Sequence, residues 1–461
     1  MHFIQKKNYF FHIILWITLW ASLSSNNTGF DGLISKVNTL RYFAPIFFAF
    51  FCFFFFKFLP EVQINMEKKI IILLFFIIFI SQIAGLLNLF FFNEDIMTGA
   101  LKDAELIISG YVPNFYHSIY LSLTFFLTAL ILFFCNNKII KILLIINFIF
   151  LTCLSFYTTI NVLIEHGHSG NSLNTSNYFQ NSNFLQMAPQ KSLGLSRSLT
   201  FLSIFFSLFL FKKMNRKIFL NIILVTFIIF INCIILQLQS RSSIYFLIFY
   251  YIILISFFLI RRNYRFALII FIFLNLLPVI LYPAITNFEK YKKNSTIELL
   301  DISMGNRAFT TNPNKNSNLS TPNIGLANNF SSGRLHIWKG AINRIKENST
   351  INNLVGFGSM ADRILVNENM SNAFFYAQIS SGIIGSISYL LIIIFTFFKC
   401  FSLIVFSFNK NKFLFYESSA ATILIYLCAR TIVENGFVQF GIDNMIFCSL
   451  LFYLCNFHYK K

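Results

Sequence analysis

Apolar residues run along this chain in blocks of about twenty, the length a helix needs to cross a bilayer's hydrocarbon core, separated mostly by short polar segments. Blocks such as Lys69–Phe92 and Arg241–Ile260 show no alternation of apolar and polar positions, which argues against the short alternating strands of a membrane β-barrel. The pattern predicts an all-α polytopic membrane protein of about 12 transmembrane helices, centred near residues 16, 50, 80, 125, 151, 202, 227, 251, 273, 385, 422 and 447. Residues 1–282 then hold helices one to nine, 283–371 form a large polar loop, and 372–461 hold helices ten to twelve.

Composition agrees. Hydrophobic residues make up 56% of the 461 and charged residues only 11%, with a mean hydropathy of +0.68, against about a quarter charged in soluble domains. The wealth of Phe, Ile, Asn and Lys fits A/T-rich coding and carries no functional weight. A net charge of +19 would ordinarily raise nucleic acid as a partner, but its placement gives another reason. With the N-terminus in the cytoplasm, 19 basic residues fall in short cytoplasmic segments, and only seven fall in the short loops of the other side. That asymmetry is the one that orients membrane proteins. It places both termini in the cytoplasm, puts the long polar segments (about 165–192 and 283–371) outside, and removes nucleic acid as a partner. The first apolar block lacks a small-residue cleavage site after Lys6 and Lys7 and reads as an uncleaved span. All eight cysteines sit in or beside apolar blocks, which argues against a disulfide framework and a Cys-based zinc site. His166, His168 and His336 are dispersed, so no metal site and no cofactor is expected.

Chemistry resides in polar residues at the outer ends of the helices. From Ser331 onward a helical segment begins, with Ser331 or Ser332 as N-cap. At 100° per residue Leu335, Trp338, Ala341, Ile342 and Ile345 form one apolar arc, and His336, Lys339, Asn343 and Lys346 lie opposite. Arg334 falls at the centre of the apolar arc. Either it turns out to water, or the helix lies on the membrane surface and aims this arginine at an anion. Arg241 stands where span seven turns into span eight, Arg197 opens span six, and Arg430 and Glu434 lie four residues apart at the outer end of span eleven. The last two share a helix face; an intrahelical ion pair is the plain reading. Asp443 lies about two turns inside span twelve, where an ionisable group is a functional candidate. Four arginines converging on one membrane face would suit phosphate or pyrophosphate, whose oxygens a guanidinium meets bidentately. The segment VGFGS at 355–359 lacks the Lys-Ser/Thr of a phosphate-binding loop and reads as a tight turn, and GHSGN at 167–171 is not a nucleophile elbow.

In order and sidedness, GLSRSLTFL (194–202), QSRSSIYFL (239–247), SGRLHIWKGAI (332–342), VGFGS (355–359) and SNAFFYAQISSGIIG (371–385) together resemble the O-antigen polymerase and O-antigen ligase superfamily. The resemblance covers about residues 190–385 and, more weakly, Arg430 and Glu434. Ligases of this kind carry His-Asn where Ser371-Asn372 stands, so the polymerase branch is favoured. The resemblance implies a multi-pass enzyme of the bacterial inner membrane. It would transfer a growing glycan from undecaprenyl pyrophosphate onto a lipid-linked repeat unit at the periplasmic face, without a metal. Partners would be undecaprenyl-pyrophosphate-linked glycans, membrane lipids and a chain-length regulator. Arg241, Arg334, Arg430 and Arg197 would bind pyrophosphate, Glu434 would be the base and Asp443 its reserve. Two alternatives remain: a ligase acting on lipid A core, and a flippase for the same lipid-linked unit.

Overall fold

The computed structural model describes residues 12–20, 65–96, 98, 115–165, 192–213, 218–237, 241–260, 262, 264–280, 334–366, 370, 372–409, 415–432, 434 and 436–457. The span expected near residue 50, the loop at 166–191, the polar stretch to residue 333 and the Ser331 and Ser332 caps lie outside the described residues. Within them the chain is all-helical, with no strand.

In chain order the helices are α1 (12–20), α2 (Met66–Leu87, continued by a π-helical turn, Asn88–Phe92), α3 (Phe115–Phe133), α4 (Asn137–Glu165), α5 (Ser192–Lys213), α6 (Ile218–Gln237) and α7 (Arg241–Ile260). Then come α8 (Tyr264–Ile269, running into a π-helical turn, Ile270–Leu276), α9 (Arg334–Glu347), α10 (Thr350–Val355), α11 (Asp362–Leu365), α12 (Ala373–Asn409), α13 (Phe415–Arg430) and α14 (Ile442–Cys455). Among the described residues four stretches are long and apolar enough to cross a membrane: Met66–Phe92, Asn137–Tyr157, Ser242–Ile260 and Ala373–Ser407. Shorter apolar helices cover the positions of other expected spans. Lipid-type exposure accompanies them: Ile383, Ile387, Leu390, Leu391, Ile394 and Phe398 of α12 all face outward. A row of exposed aliphatic and aromatic side chains is costly in water and expected in a bilayer, so the protein is membrane-embedded in character.

Helix α14 sits at the centre. Every residue from Asp443 to Cys455 is buried, against α3, α4 and α13. Its polar residues are taken up inside the bundle. Ser449 Oγ accepts from Asn147 Nδ2 at 3.0 Å, and Asn147 Oδ1 accepts from the indoles of Trp16 and Trp20 at 2.6 and 2.7 Å. This single asparagine ties α1, α4 and α14 together where no water is available to satisfy it.

Helix α12 is too long for one crossing: 37 residues at 1.5 Å each span about 55 Å, against about 30 Å of hydrocarbon. It is broken at Gly382, whose φ of 61° and ψ of −166° interrupt the helix. The segment Gly356–Asp362 fills that break. The N–H groups of Phe357 and Gly358 donate to the carbonyls of Ile379 and Ser380 at 2.9 and 2.8 Å. Across the segment, Asn88 Nδ2 donates to Gly356 O at 2.9 Å, Ser118 Oγ to Ser359 O at 3.0 Å, and Ser122 and Ser359 share a hydroxyl contact at 3.0 Å. All seven residues of Gly356–Asp362 are buried. Non-helical backbone at such depth persists because its polar groups are met by protein. VGFGS does turn, with left-handed φ at Gly356 and Gly358, but it is also a plug wedged among α2, α3 and α12. A Cβ on Gly85 of α2 would stand 2.6 Å from Gly358 N, so the glycine admits the plug.

Two local expectations are corrected. The buried side of α9 centres on Ala341 and takes in Ile337 and Trp338, whereas Ile342 is 38% exposed. The apolar arc is therefore rotated towards Ile337, because α9 packs on the start of α12, with Trp338 against Phe375 at 6.4 Å. Asp443 does not lie two turns inside its helix. α13 ends at Arg430 and the described residues between it and Ile442 are non-helical, so α14 starts late and Asp443 is in its first turn.

Candidate functional site

Three helix ends and one non-helical segment meet at the end of the bundle that holds the N-terminus of α14. Arg197 comes from the second turn of α5, Arg430 is the last residue of α13, Glu434 follows it, and Asp443 opens α14. Two of these positions, Arg430 and Asp443, suit their charges. A guanidinium at a helix C-terminus and a carboxylate at a helix N-terminus each complement the local helix dipole. Glu434 is held in place by its own N–H, which donates to Arg430 O at 3.0 Å.

The four side chains form one network. Arg197 Nη1 pairs with Asp443 Oδ2, Arg430 Nη2 pairs with Glu434 Oε2, and that same Glu434 oxygen lies 4.0 Å from Arg197 Nη1. Glu434 thus stands between two guanidiniums. The side chain of Arg430 is 1% exposed, Asp443 6%, Arg197 17% and Glu434 20%. Burial of four formal charges is tolerable because they cancel. The pairing is incomplete nonetheless. Arg430 Nε and Nη1, Arg197 Nε and Asp443 Oδ1 are buried without a hydrogen-bond partner among the described residues. A buried donor left unmet costs about 1–3 kcal/mol, so three such donors mark a place ready to receive an acceptor.

An aromatic wall sets Arg430. Its guanidinium carbon lies 5.9 Å from the ring centre of Tyr426. Tyr426 is stacked on Phe246 at 4.1 Å and meets Phe201 edge-on at 5.9 Å. The Tyr426 hydroxyl is 3.1 Å from Ser243 Oγ. Phe246 and Ser243 belong to α7, whose first residue is Arg241, so the backbone brings Arg241 to the same end of the bundle. Arg334 opens α9, one turn before Trp338. The start of α12 is tied to the segment after Arg430: Ala373 N donates to Thr431 O at 2.9 Å, and Asn372 Nδ2 to Ile432 O at 2.7 Å. The side chains of Arg241, Arg334 and His336 lie outside the described residues.

Of the six candidate residues, the structure joins Arg197, Arg430, Glu434 and Asp443 in one contact network and brings the helix starting at Arg241 beside it. The sequence could not show that both candidate bases are engaged by guanidiniums. Only the i, i+4 spacing of Arg430 and Glu434 was a signal for part of that. Tyr426 was missed, since one tyrosine in an apolar helix carries no distinguishing mark.

A second polar cluster was also missed. Asn88, Asn93, Asn352 and the Gly356 carbonyl form a hydrogen-bonded group linking α2 to α10. Asp362 is buried, accepts from Met370 N at 2.8 Å through Oδ2, and leaves Oδ1 unmet. Burial pushes its carboxyl above the usual carboxylate range, offset in part by the Met370 N–H. Among the described residues no group of three or more His, Cys, Asp or Glu could hold a metal ion, and the seven described cysteines of the eight are free thiols. Compared with other proteins, the chain matches no family model, no curated protein and no solved structure.

Proposed function

We propose that this protein is a membrane glycosyltransferase of the polysaccharide-polymerase type, with about 12 spans, both termini in the cytoplasm and residues 283–371 at the outer face of a bacterial inner membrane. It moves a growing glycan from undecaprenyl pyrophosphate onto a carrier-linked repeat unit. The observation that carries this reading is the Arg197–Glu434–Arg430 contact. Two guanidiniums with unmet buried N–H groups lie at the same bundle end as the helix starts bearing Arg241 and Arg334. A departing pyrophosphate needs donors already fixed where its charge develops, and arginine's planar fork fits its oxygens. Arg241 and Arg334 add the net positive charge that the neutral quartet lacks. Glu434, at the most exposed corner of the network, serves the acceptor hydroxyl as base.

The test is a surface-glycan gel. Deletion of the gene gives single-repeat glycans without a ladder. Arg241→Ala and Arg334→Ala each give the same result with membrane insertion unchanged, and normal ladders from both variants would refute the assignment. Loss of attached glycan, with polymer retained on the lipid carrier, would point instead to a ligase. The break at Gly382 favours a second reading, since broken helices build transporter sites. Here, however, the carbonyls on the break are used by Phe357 and Gly358. A transporter would leave in-vitro polymerisation of lipid-linked repeats unchanged and abolish their translocation.

A further inference from the structure

The two carboxylates of the quartet are not equivalent. Asp443 is rooted in the first turn of α14, 6% exposed, and pairs directly with Arg197. Glu434 sits on the non-helical segment between α13 and α14, is 20% exposed, and one of its oxygens serves both arginines. Arg430 is 1% exposed yet keeps Nε and Nη1 unmet. A buried guanidinium with three donor nitrogens and one acceptor is short of acceptors, and a diphosphate offers several oxygens where Glu434 offers one.

We propose that Glu434 is an exchangeable counter-ion. It neutralises Arg430 and Arg197 when the site holds no substrate, and a diphosphate displaces it. Asp443 is the fixed partner that keeps Arg197 aimed at the site, and so is a positioning residue. This inference rests on the glycosyltransferase reading for the sequel to displacement. The freed Glu434 carboxylate takes the proton of the acceptor hydroxyl as that oxygen bonds to the anomeric carbon. The bond from that carbon to the donor's pyrophosphate oxygen breaks, and its electron pair leaves with the pyrophosphate, held by the two guanidiniums. The exchange thereby couples substrate arrival to the release of the base.

The experiment measures binding of inorganic pyrophosphate to the full-length protein in lipid nanodiscs by calorimetry, with inorganic phosphate as a second probe. Glu434→Gln and Glu434→Ala remove the competitor and tighten pyrophosphate binding about tenfold, whereas Asp443→Asn weakens it about tenfold. Size-exclusion profile and helical circular dichroism establish that each variant is folded. In the elongation assay Glu434→Gln loses at least a hundredfold in rate despite the tighter binding, within the range of a lost general base. Unchanged or weaker binding in folded Glu434 variants would overturn the exchange. Equal affinity for phosphate and pyrophosphate, the outcome expected of a lipid-headgroup phosphate site, would overturn the diphosphate assignment. Tighter binding without any effect on the glycan ladder would leave the exchange standing and refute the glycosyltransferase reading. Loss of the ladder without tighter binding would do the reverse.

Discussion

The two ends of the helix bundle handle buried charge in opposite ways. At the end holding the N-terminus of α2, the buried and half-buried charges Lys68, Lys399, Glu67 and Glu417 each have a partner of their own. Lys68 is fully buried and donates to the carbonyls of Phe133 and Cys135 at 3.4 and 3.0 Å, closing the C-terminus of α3 as a cationic cap. Lys399 meets both oxygens of Glu67 at 2.8 and 2.7 Å, and Tyr453 donates to Glu417 at 2.7 Å. At the other end two arginines share two carboxylates and retain unmet N–H groups. One end uses charge to finish helices; the other holds charge in reserve. The difference teaches where to look for function in a helical membrane protein: at ionic groups whose pairing is incomplete, rather than at ionic groups as such.

The sharpest way to break this contrast is Arg430→Ala. It strips a buried guanidinium from Glu434 and leaves the quartet with surplus negative charge. Removing one partner of a buried pair costs about 3–5 kcal/mol, and a thermal melt in detergent should drop accordingly while the glycan ladder disappears. Arg430→Lys keeps the charge but loses the fork, so it should recover much of the stability and little of the ladder. Recovery of both would return the cluster to a purely structural role.

The plug between the ends comes next. A Cβ at Gly382 would collide with the Leu354 carbonyl, and the φ of 61° there is strained for any other L residue. Gly382→Ala should cost about 1–3 kcal/mol and free the α10–α11 segment to protease. A Gly382→Ala protein as stable and as protease-resistant as the parent would show that the break is dispensable.

Lys68→Met tests the capping end. It leaves two carbonyls unmet, and the loss should be about 1–3 kcal/mol of stability. The glycan ladder should remain intact, unlike the Arg430 variants. Loss of the ladder in a folded Lys68→Met protein would erase the distinction between the ends.

The smallest effect concerns Asp362. Its folded-state carboxyl is raised above its unfolded value, so the folded protein binds the proton more tightly. Stability from this group is present below the ordinary carboxylate range and is lost as pH rises through the folded value. Asp362→Asn should flatten that slope and leave the protein at least as stable at neutral pH. Melting curves from acid to neutral pH for both proteins decide it, and identical slopes would show that Asp362 does not titrate with folding.

Much of this was legible in the amino-acid pattern. Twenty-residue apolar runs have one low-energy solution in a bilayer, the helix, so α2, α4, α7 and α12 follow from hydropathy alone. The basic bias of alternate segments put Arg197, Arg241, Arg430 and Glu434 at one side, and the structure brings three of these residues with Asp443 into one network. The sequence determined which side chains are charged, and that Arg197, Arg241, Arg430 and Glu434 stand at helix ends rather than mid-span. Tertiary structure decided the rest. It stopped α13 at Arg430 and delayed α14 to Ile442, and so moved Asp443 from an expected mid-helix position to a helix start beside Arg197. It rotated α9 because the first turn of α12 offered Phe375 to Trp338, and it broke α12 at Gly382 because the plug's N–H groups needed the carbonyls of Ile379 and Ser380. Periodicity within one segment carries no information about which neighbour supplies a missing hydrogen bond. That depends on contacts between residues hundreds of positions apart, such as Arg197 with Asp443 and Asn88 with Asn352.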